Sequence, residues 1–364
     1  MKHKVLICIL LILSLTLAGC GIADAENQSS KTSNTSSEVQ KSFDKESEET
    51  FDTGARPEKT PDTETAVSIK NISLGKVPDG YYSAADQQGT LENFTYDTKD
   101  YIGNGNAIQS SATVYLPYGY DQADSSTRYN ILYLQHGAYG DERTWMYGYR
   151  GNFKNMIDHM IEDKLIPPLI IVTPYLPSGN EWYHDTTPIF YSGELKNDLM
   201  PAVEAYYHTY AENTSDAGFE ASRSHRAFGG FSAGGTTTWR VFLEGMDRFE
   251  FFLPMSGCLT LGGDCSTDTE DAKLIADTAL ASGYGKREYY VFSATGTRDV
   301  AYRGLTAQIE SMKTLTSAFD YTQTGFADGN LMYYTVEGNR HDYQYTYEYV
   351  FNGLQCLFSW YERN

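Results

Sequence analysis

The segment Gly230-Phe231-Ser232-Ala233-Gly234 constrains this chain more than any other. It is a G-x-S-x-G pattern. It lies between Arg226-Ala227-Phe228-Gly229-Gly230, which reads as a buried strand, and residues 233–245, which read as a helix. A strand that turns straight into a helix around a serine leaves no room for side chains at the flanking positions. Glycines therefore stand there, the serine backbone is strained, and its hydroxyl is held clear of the sheet edge. So short a pattern also arises by chance in glycine-rich turns. The strand–turn–helix context is what makes Ser232 a candidate nucleophile.

The rest of the chain supplies a sheet for such a turn. Asn130-Ile131-Leu132-Tyr133-Leu134 and Leu169-Ile170-Ile171-Val172 are continuous apolar runs, as expected of strands covered on both faces. Residues 91–96 and 111–116 alternate like half-buried strands, and 249–255, 289–293 and 331–336 add more. Helices are expected over 153–163, 193–210, 233–245 and 270–281, and Leu305, Ile309 and Met312 form a further helical stripe. Strands alternating with helices imply an α/β fold with a mainly parallel central sheet and helices on both faces. No internal repeat and no second domain are visible.

A serine hydroxyl needs a base to become nucleophilic at neutral pH. In a wound parallel sheet, reacting groups collect at the carboxyl ends of strands. His341 follows the expected strand 331–336 and is the last histidine of the chain. Its competitors are placed less well: His136 ends a strand but precedes Ser232, His159 and His208 are expected in helices, and His184 and His225 in loops. Asp299 follows the strand 289–293, where a carboxylate can hold the imidazole tautomer and stabilise the imidazolium. The alternatives are a solvated Asp299 paired with Arg298 or Arg303, and Asp264, Asp268 or Asp271 as the acid. Those three sit in an aspartate-rich loop that lacks the spacing and glycine of a calcium loop. No cysteine–histidine spacing suggests a metal. Two backbone N–H groups are expected to face a developing oxyanion. One is Ala233, at the helix start. The other is Ala138, in the glycine-bearing loop after the strand 130–134, with Tyr139 possible in its place.

The first 19 residues read as an export signal: Lys2, His3 and Lys4, a short apolar run, then Leu17-Ala18-Gly19-Cys20. The last four resemble the bacterial lipobox, which implies lipidation at Cys20 and a membrane-anchored protein on the outer face of the cell membrane. Residues 20–65 are rich in Ser, Thr and Glu and cannot bury enough apolar surface to offset the entropy of ordering, so they read as a tether. The remainder, 66–364, is expected to form one domain. The chain carries a formal charge of −20. So acidic a surface argues against nucleic acid, and against adhesion to anionic lipid except through the acyl chain. Cys258 and Cys265 are close in sequence, and export makes a disulfide between them plausible.

Several of these segments carry a family likeness. Tyr133-Leu134-Gln135-His136-Gly137, then Gly140-Asp141-Glu142 and Trp145, resemble the start of bacterial feruloyl esterases of the esterase-D-like group, similar to carbohydrate esterase family 1. So do Leu169-Ile170-Ile171-Val172-Thr173-Pro174, the elbow, Pro254-Met255-Ser256-Gly257-Cys258, and His341-Asp342 after Gly338. The resemblance implies an α/β-hydrolase fold, an acyl-serine mechanism, no cofactor, and hydrolysis of hydroxycinnamoyl or acetyl esters on plant xylan. The chain departs from the family's usual Gly-Leu-Ser-Met-Gly at Phe231 and Ala233, and from Gly-Gly before the histidine at Asn339 and Arg340.

Substrate is written less clearly. The chain has 30 Tyr and 4 Trp, and aromatic faces stack on sugars and phenolic acids. Tyr139, Trp182 and Tyr183 are the candidate contacts, the last two within a polar 176–192 segment expected to form a rim or lid. The expected partner is an ester-decorated carbohydrate. An acetyl-xylan esterase, an acyl transferase and an inactive carbohydrate-binding lipoprotein are the competing readings.

Overall fold

The computed structural model describes residues 72, 74–176, 190–260 and 268–358. Cys20, the tether, Trp182, Tyr183, His184 and Cys265 fall outside the described residues. The described residues belong to one compact unit, 65–364.

Among them, nine strands form one sheet. They are β1 (Thr90–Lys99), β2 (Ala107–Leu116), β3 (Asn130–Gln135), β4 (Leu169–Pro174), β5 (Arg226–Phe231), β6 (Phe251–Met255), β7 (Tyr290–Gly296), β8 (Tyr321–Thr322) and β9 (Leu331–Val336). Their spatial order is β1-β2-β4-β3-β5-β6-β7-β9-β8. β1 pairs antiparallel with β2, and β2 with β4; every other pairing is parallel.

The apolar runs are explained by burial on two faces. Along β3, Ile131 and Tyr133 join one core while Leu132 and Leu134 join the other, and β4 splits Ile170 and Val172 from Leu169 and Ile171 in the same way. One core is roofed by Trp239 and Phe242 of the helix Ala233–Glu244, Ile275 of Asp268–Ala281, and Ile309 of Tyr302–Thr314. We call these α2, α3 and α4. The other core is roofed by Met156 and Met160 of α1 (Asn152–Glu162) and by Val350 and Leu354 of α5 (Tyr343–Phe358). The sheet therefore carries helices on both faces, as the alternation of elements implied.

Two boundaries differ from expectation. The segment expected to be helical over 193–210 begins as a π-helix at Tyr191–Leu199, continues as the α-helix Met200–Tyr206, and ends there. Tyr207 turns to extended backbone. The next residues are drawn alongside the start of β3, with the Tyr129 N–H donating to the His208 carbonyl and a bridge between Tyr129 and Thr209. His208 thus lies beyond the helix.

Strand order also fixes where chemistry can sit. β3 has β4 on one side and β5 on the other, so the chain reverses its direction of winding between them. Such a switch opens a crevice outside the carboxyl ends of the two strands that diverge. The loop after β3 and the turn after β5 both open there. Register places Gln135 opposite Gly230, which sets His136 and Gly137 beside Phe231 and Ser232.

Candidate active site

Ser232 occupies the turn between β5 and α2 with φ 58° and ψ −110°, a region that L-residues avoid. The turn is clamped on both sides. The Ser232 N–H donates to the Met255 carbonyl at 2.9 Å, and the Ser232 carbonyl accepts from the Thr236 N–H at 3.0 Å. The surrounding glycines are required by contact: a Cβ on Gly230 would lie 2.5 Å from the Gly234 backbone, and one on Gly234 2.4 Å from the Gln135 carbonyl. Glycine on either side of the serine is therefore dictated by backbone-to-backbone contact.

His341 Nε2 lies 2.8 Å from Ser232 Oγ, and His341 Nδ1 lies 2.8 Å from Asp299 Oδ1. A carboxylate can only accept, so Nδ1 carries the proton and Nε2 is left to accept from the serine. Asp299 is buried, whereas the imidazole keeps 28% of its side-chain surface exposed. The second bond to Asp299 Oδ1 comes from the Ala301 N–H at 2.8 Å. Two loops are stitched together to produce this pairing. The Arg298 N–H donates to the Asn339 carbonyl at 3.0 Å, and the Gly338 N–H to Thr297 Oγ1 at 2.9 Å. Gly296 permits the approach, since a Cβ there would stand 2.2 Å from the Asn339 carbonyl. The loops after β7 and β9 thus carry Asp299 and His341 as one piece.

Ala233 is the first residue of α2 and Ala138 follows Gly137 in the loop after β3. A Cβ on Gly137 would lie 3.2 Å from Ser232 Cβ, so this loop abuts the serine. Tyr139 has φ 63° and is 79% exposed at the loop tip. The Gly137 N–H donates to the Tyr343 hydroxyl, and Tyr343 packs edge-on against both Trp145 and Phe231. As one of 30 tyrosines, Tyr343 carries no signal in the sequence beyond lying two residues after His341. His136, set aside as a base because it precedes Ser232, is buried in the same loop with its Nδ1 2.8 Å from the Gly137 carbonyl. Among the other described histidines, His159 stacks on Tyr81, His208 lies against Tyr120, and His225 stacks on Tyr210.

The pairing expected between Cys258 and Cys265 falls on a residue outside the described ones. Cys258 Sγ lies 3.3 Å from the Thr260 carbonyl. Asp271 is held in α3 and accepts from the Thr260 hydroxyl at 2.8 Å, so it is not the acid facing His341. Among the described residues, no group of three or more His, Cys, Asp or Glu is arranged to hold a metal ion.

Comparison with known proteins agrees with this geometry. Residues 108–348 match the Esterase family model. The chain is 38% identical over 287 residues to endo-1,4-beta-xylanase Y of Acetivibrio thermocellus, and 26% identical over 209 residues to an endo-1,4-beta-xylanase/feruloyl esterase of Xylanibacter ruminicola. Those alignments cover 79% and 56% of this chain but only 25% and 24% of the relatives. Among solved structures, a serine-to-alanine mutant of the feruloyl esterase module from Clostridium thermocellum, in complex with sinapinate, superposes with a TM-score of 0.70. It is 38% identical, with 80% of this chain and 96% of that one covered. A strained serine between strand and helix, backed by histidine and buried aspartate and matched across two thirds of the chain by one family model, has one reading: the chain belongs to the esterase family.

Proposed function

We propose that this protein is a serine ester hydrolase that releases hydroxycinnamic acids such as ferulic acid from ester-decorated xylan. The observation that carries the reading is the unbroken relay from Ser232 through His341 to buried Asp299. Ser232 Oγ attacks the ester carbonyl while its proton passes to His341 Nε2, and Asp299 stabilises the imidazolium formed. The oxyanion is received by the Ala233 and Ala138 N–H groups. Collapse of the tetrahedral species breaks the bond to the sugar oxygen, which takes the proton back from His341. Water, deprotonated by the same imidazole, then hydrolyses the acyl-serine and regenerates the hydroxyl. Nothing in these steps calls for a metal or organic cofactor.

The substrate class is supported by the feruloyl esterase relatives and by the complex of one of them with sinapinate, a hydroxycinnamate. Tyr139, at the tip of the loop beside Ser232, is the described residue best placed to meet the substrate; Trp182 and Tyr183 are proposed with it from sequence. We also propose that Cys20 is lipidated and that residues 20–65 tether the enzyme to the outer face of the bacterial membrane, a reading supported by Leu17-Ala18-Gly19-Cys20 and the composition after it.

The test is product release from methyl ferulate and acetylated xylan by the purified protein, with Ser232→Ala beside it. Ferulate release that falls at least about 10³-fold in the variant is the expected result. Release of acetate alone would move the substrate to acetylated polysaccharide. Activity retained by Ser232→Ala would refute the mechanism.

A further inference from the structure

The peptide joining Gly137 to Ala138 is pinned from both sides. The Gly137 carbonyl accepts two hydrogen bonds, from the Gly140 N–H at 3.1 Å and from His136 Nδ1 at 2.8 Å. The tautomer of His136 follows from its other nitrogen. The Leu176 N–H, which can only donate, lies 3.2 Å from Nε2, so Nε2 accepts and Nδ1 carries the proton. Burial pushes this imidazole below the ordinary histidine range, and so favours the neutral form that the arrangement needs. On the other side of Gly137, its N–H donates to the Tyr343 hydroxyl. The Tyr343 ring is fixed between Trp145 and Phe231, at centroid distances of 5.3 Å and 4.9 Å. Burial holds its phenol well above the usual range, so it stays protonated and neutral.

We propose that His136 and Tyr343 are positioning residues that aim the Ala138 N–H at the ester oxygen held over Ser232. In a trans peptide the C=O and N–H point in opposite directions. With the Gly137 carbonyl drawn toward His136 and Gly140, the Ala138 N–H faces the other way, and it has no hydrogen-bond partner among the described residues. Tyr343 holds the preceding peptide, so Gly137 cannot swivel and carry Ala138 with it. Because Tyr343 follows His341 by two residues, the base and the oxyanion donor are tied to the same segment. This inference rests on the esterase reading of Ser232.

The experiment compares the full chain with Tyr343→Phe, His136→Asn, His136→Gln and Ser232→Ala on p-nitrophenyl acetate, recording kcat, KM and thermal midpoint. Tyr343→Phe keeps the ring and removes only the acceptor; kcat should fall about tenfold with KM unchanged, the signature of a contact made only in the transition state. An asparagine amide reaches the place of Nδ1 and can still donate to the Gly137 carbonyl, whereas a glutamine amide reaches the place of Nε2. His136→Asn should therefore retain more kcat than His136→Gln. A merely structural histidine would lower both midpoints and leave the two kcat values alike. Wild-type kcat in Tyr343→Phe, or no advantage of asparagine over glutamine, would overturn the proposal while leaving the esterase reading in place. A wild-type chain as inactive as Ser232→Ala would overturn both.

Discussion

Ser232, His341 and Asp299 were readable residue by residue because each follows the end of a strand, and strand ends in a parallel sheet converge on one edge. Their hydrogen bonds set a sharp expectation for Asp299. An amide in its place can donate to His341 Nδ1, which would shift the imidazole proton to Nε2 and remove the acceptor that Ser232 needs. Asp299→Asn is expected to lower kcat about 10⁴-fold with little change in KM, measured by steady-state hydrolysis of methyl ferulate. A loss below tenfold would mean that Asp299 does not set the tautomer. His136 and Tyr343 were not legible in the same way. Their parts depend on which way one peptide plane faces, and no spacing records that.

At the scale of elements, the buried parallel strands were the clearest features, because β3 and β4 are buried throughout and carry unbroken apolar runs, and only a doubly covered strand demands that. The C-terminal helix α5 was not recognised. Its first five aromatic residues fall at Tyr343, Tyr345, Tyr347, Tyr349 and Phe351, a period of two that imitates a strand, while its packed face runs through Tyr347, Val350, Leu354 and Leu357 at helical spacing. The two-residue β8 is too short to carry any period. Element packing leaves no room for a side chain where α2 crosses the end of β6. A Cβ on Gly235 would stand 2.5 Å from the Met255 carbonyl, the group that also accepts the Ser232 N–H. Gly235→Ala should cost about 1–3 kcal/mol in urea denaturation and lower kcat as well, since relieving the clash moves the anchor of the elbow. At Gly148, with φ −64° and nothing within 4 Å of an added Cβ, the same exchange should stay within about 0.5 kcal/mol. Equal costs at the two sites would show that the α2–β6 contact is looser than it stands here.

Across the whole molecule the sheet has two unlike ends, with the reacting groups at the carboxyl ends of the strands and buried charge at the other. Arg226, which opens β5, donates to both oxygens of Glu204 at 2.7 and 2.8 Å, and both side chains are shut away from water. Glu204 also accepts from the Tyr133 and Thr209 hydroxyls. Glu204→Gln leaves the guanidinium uncompensated and should cost about 3 kcal/mol. Arg226 and Ser232 are separated by the length of β5, roughly 20 Å, so kcat below the melting transition should be retained. The neighbouring His225 makes this end sensitive to acid. It stacks on Tyr210 at 3.5 Å, and Nδ1 meets Asn130 Oδ1 at 2.9 Å. Burial first, and then the Arg226 charge, push its pKa from 6.5 down to about 4. Above 6.5 the imidazole is neutral whether the chain is folded or not. Between 6.5 and about 4 the unfolded chain takes up a proton that the folded chain refuses, so stability falls as pH drops through that window. Buried His136 acts in the same sense. Glu194, whose pKa is raised by burial, acts in the opposite one, stabilising below its unfolded value and losing that contribution as pH rises. Both are common to the wild type and a His225→Gln variant, so they cancel in the difference between the two. Urea midpoints at pH 7 and pH 5 should show the wild type losing more stability on acidification than the variant. Equal losses in the two proteins would remove His225 as a source of the acid sensitivity.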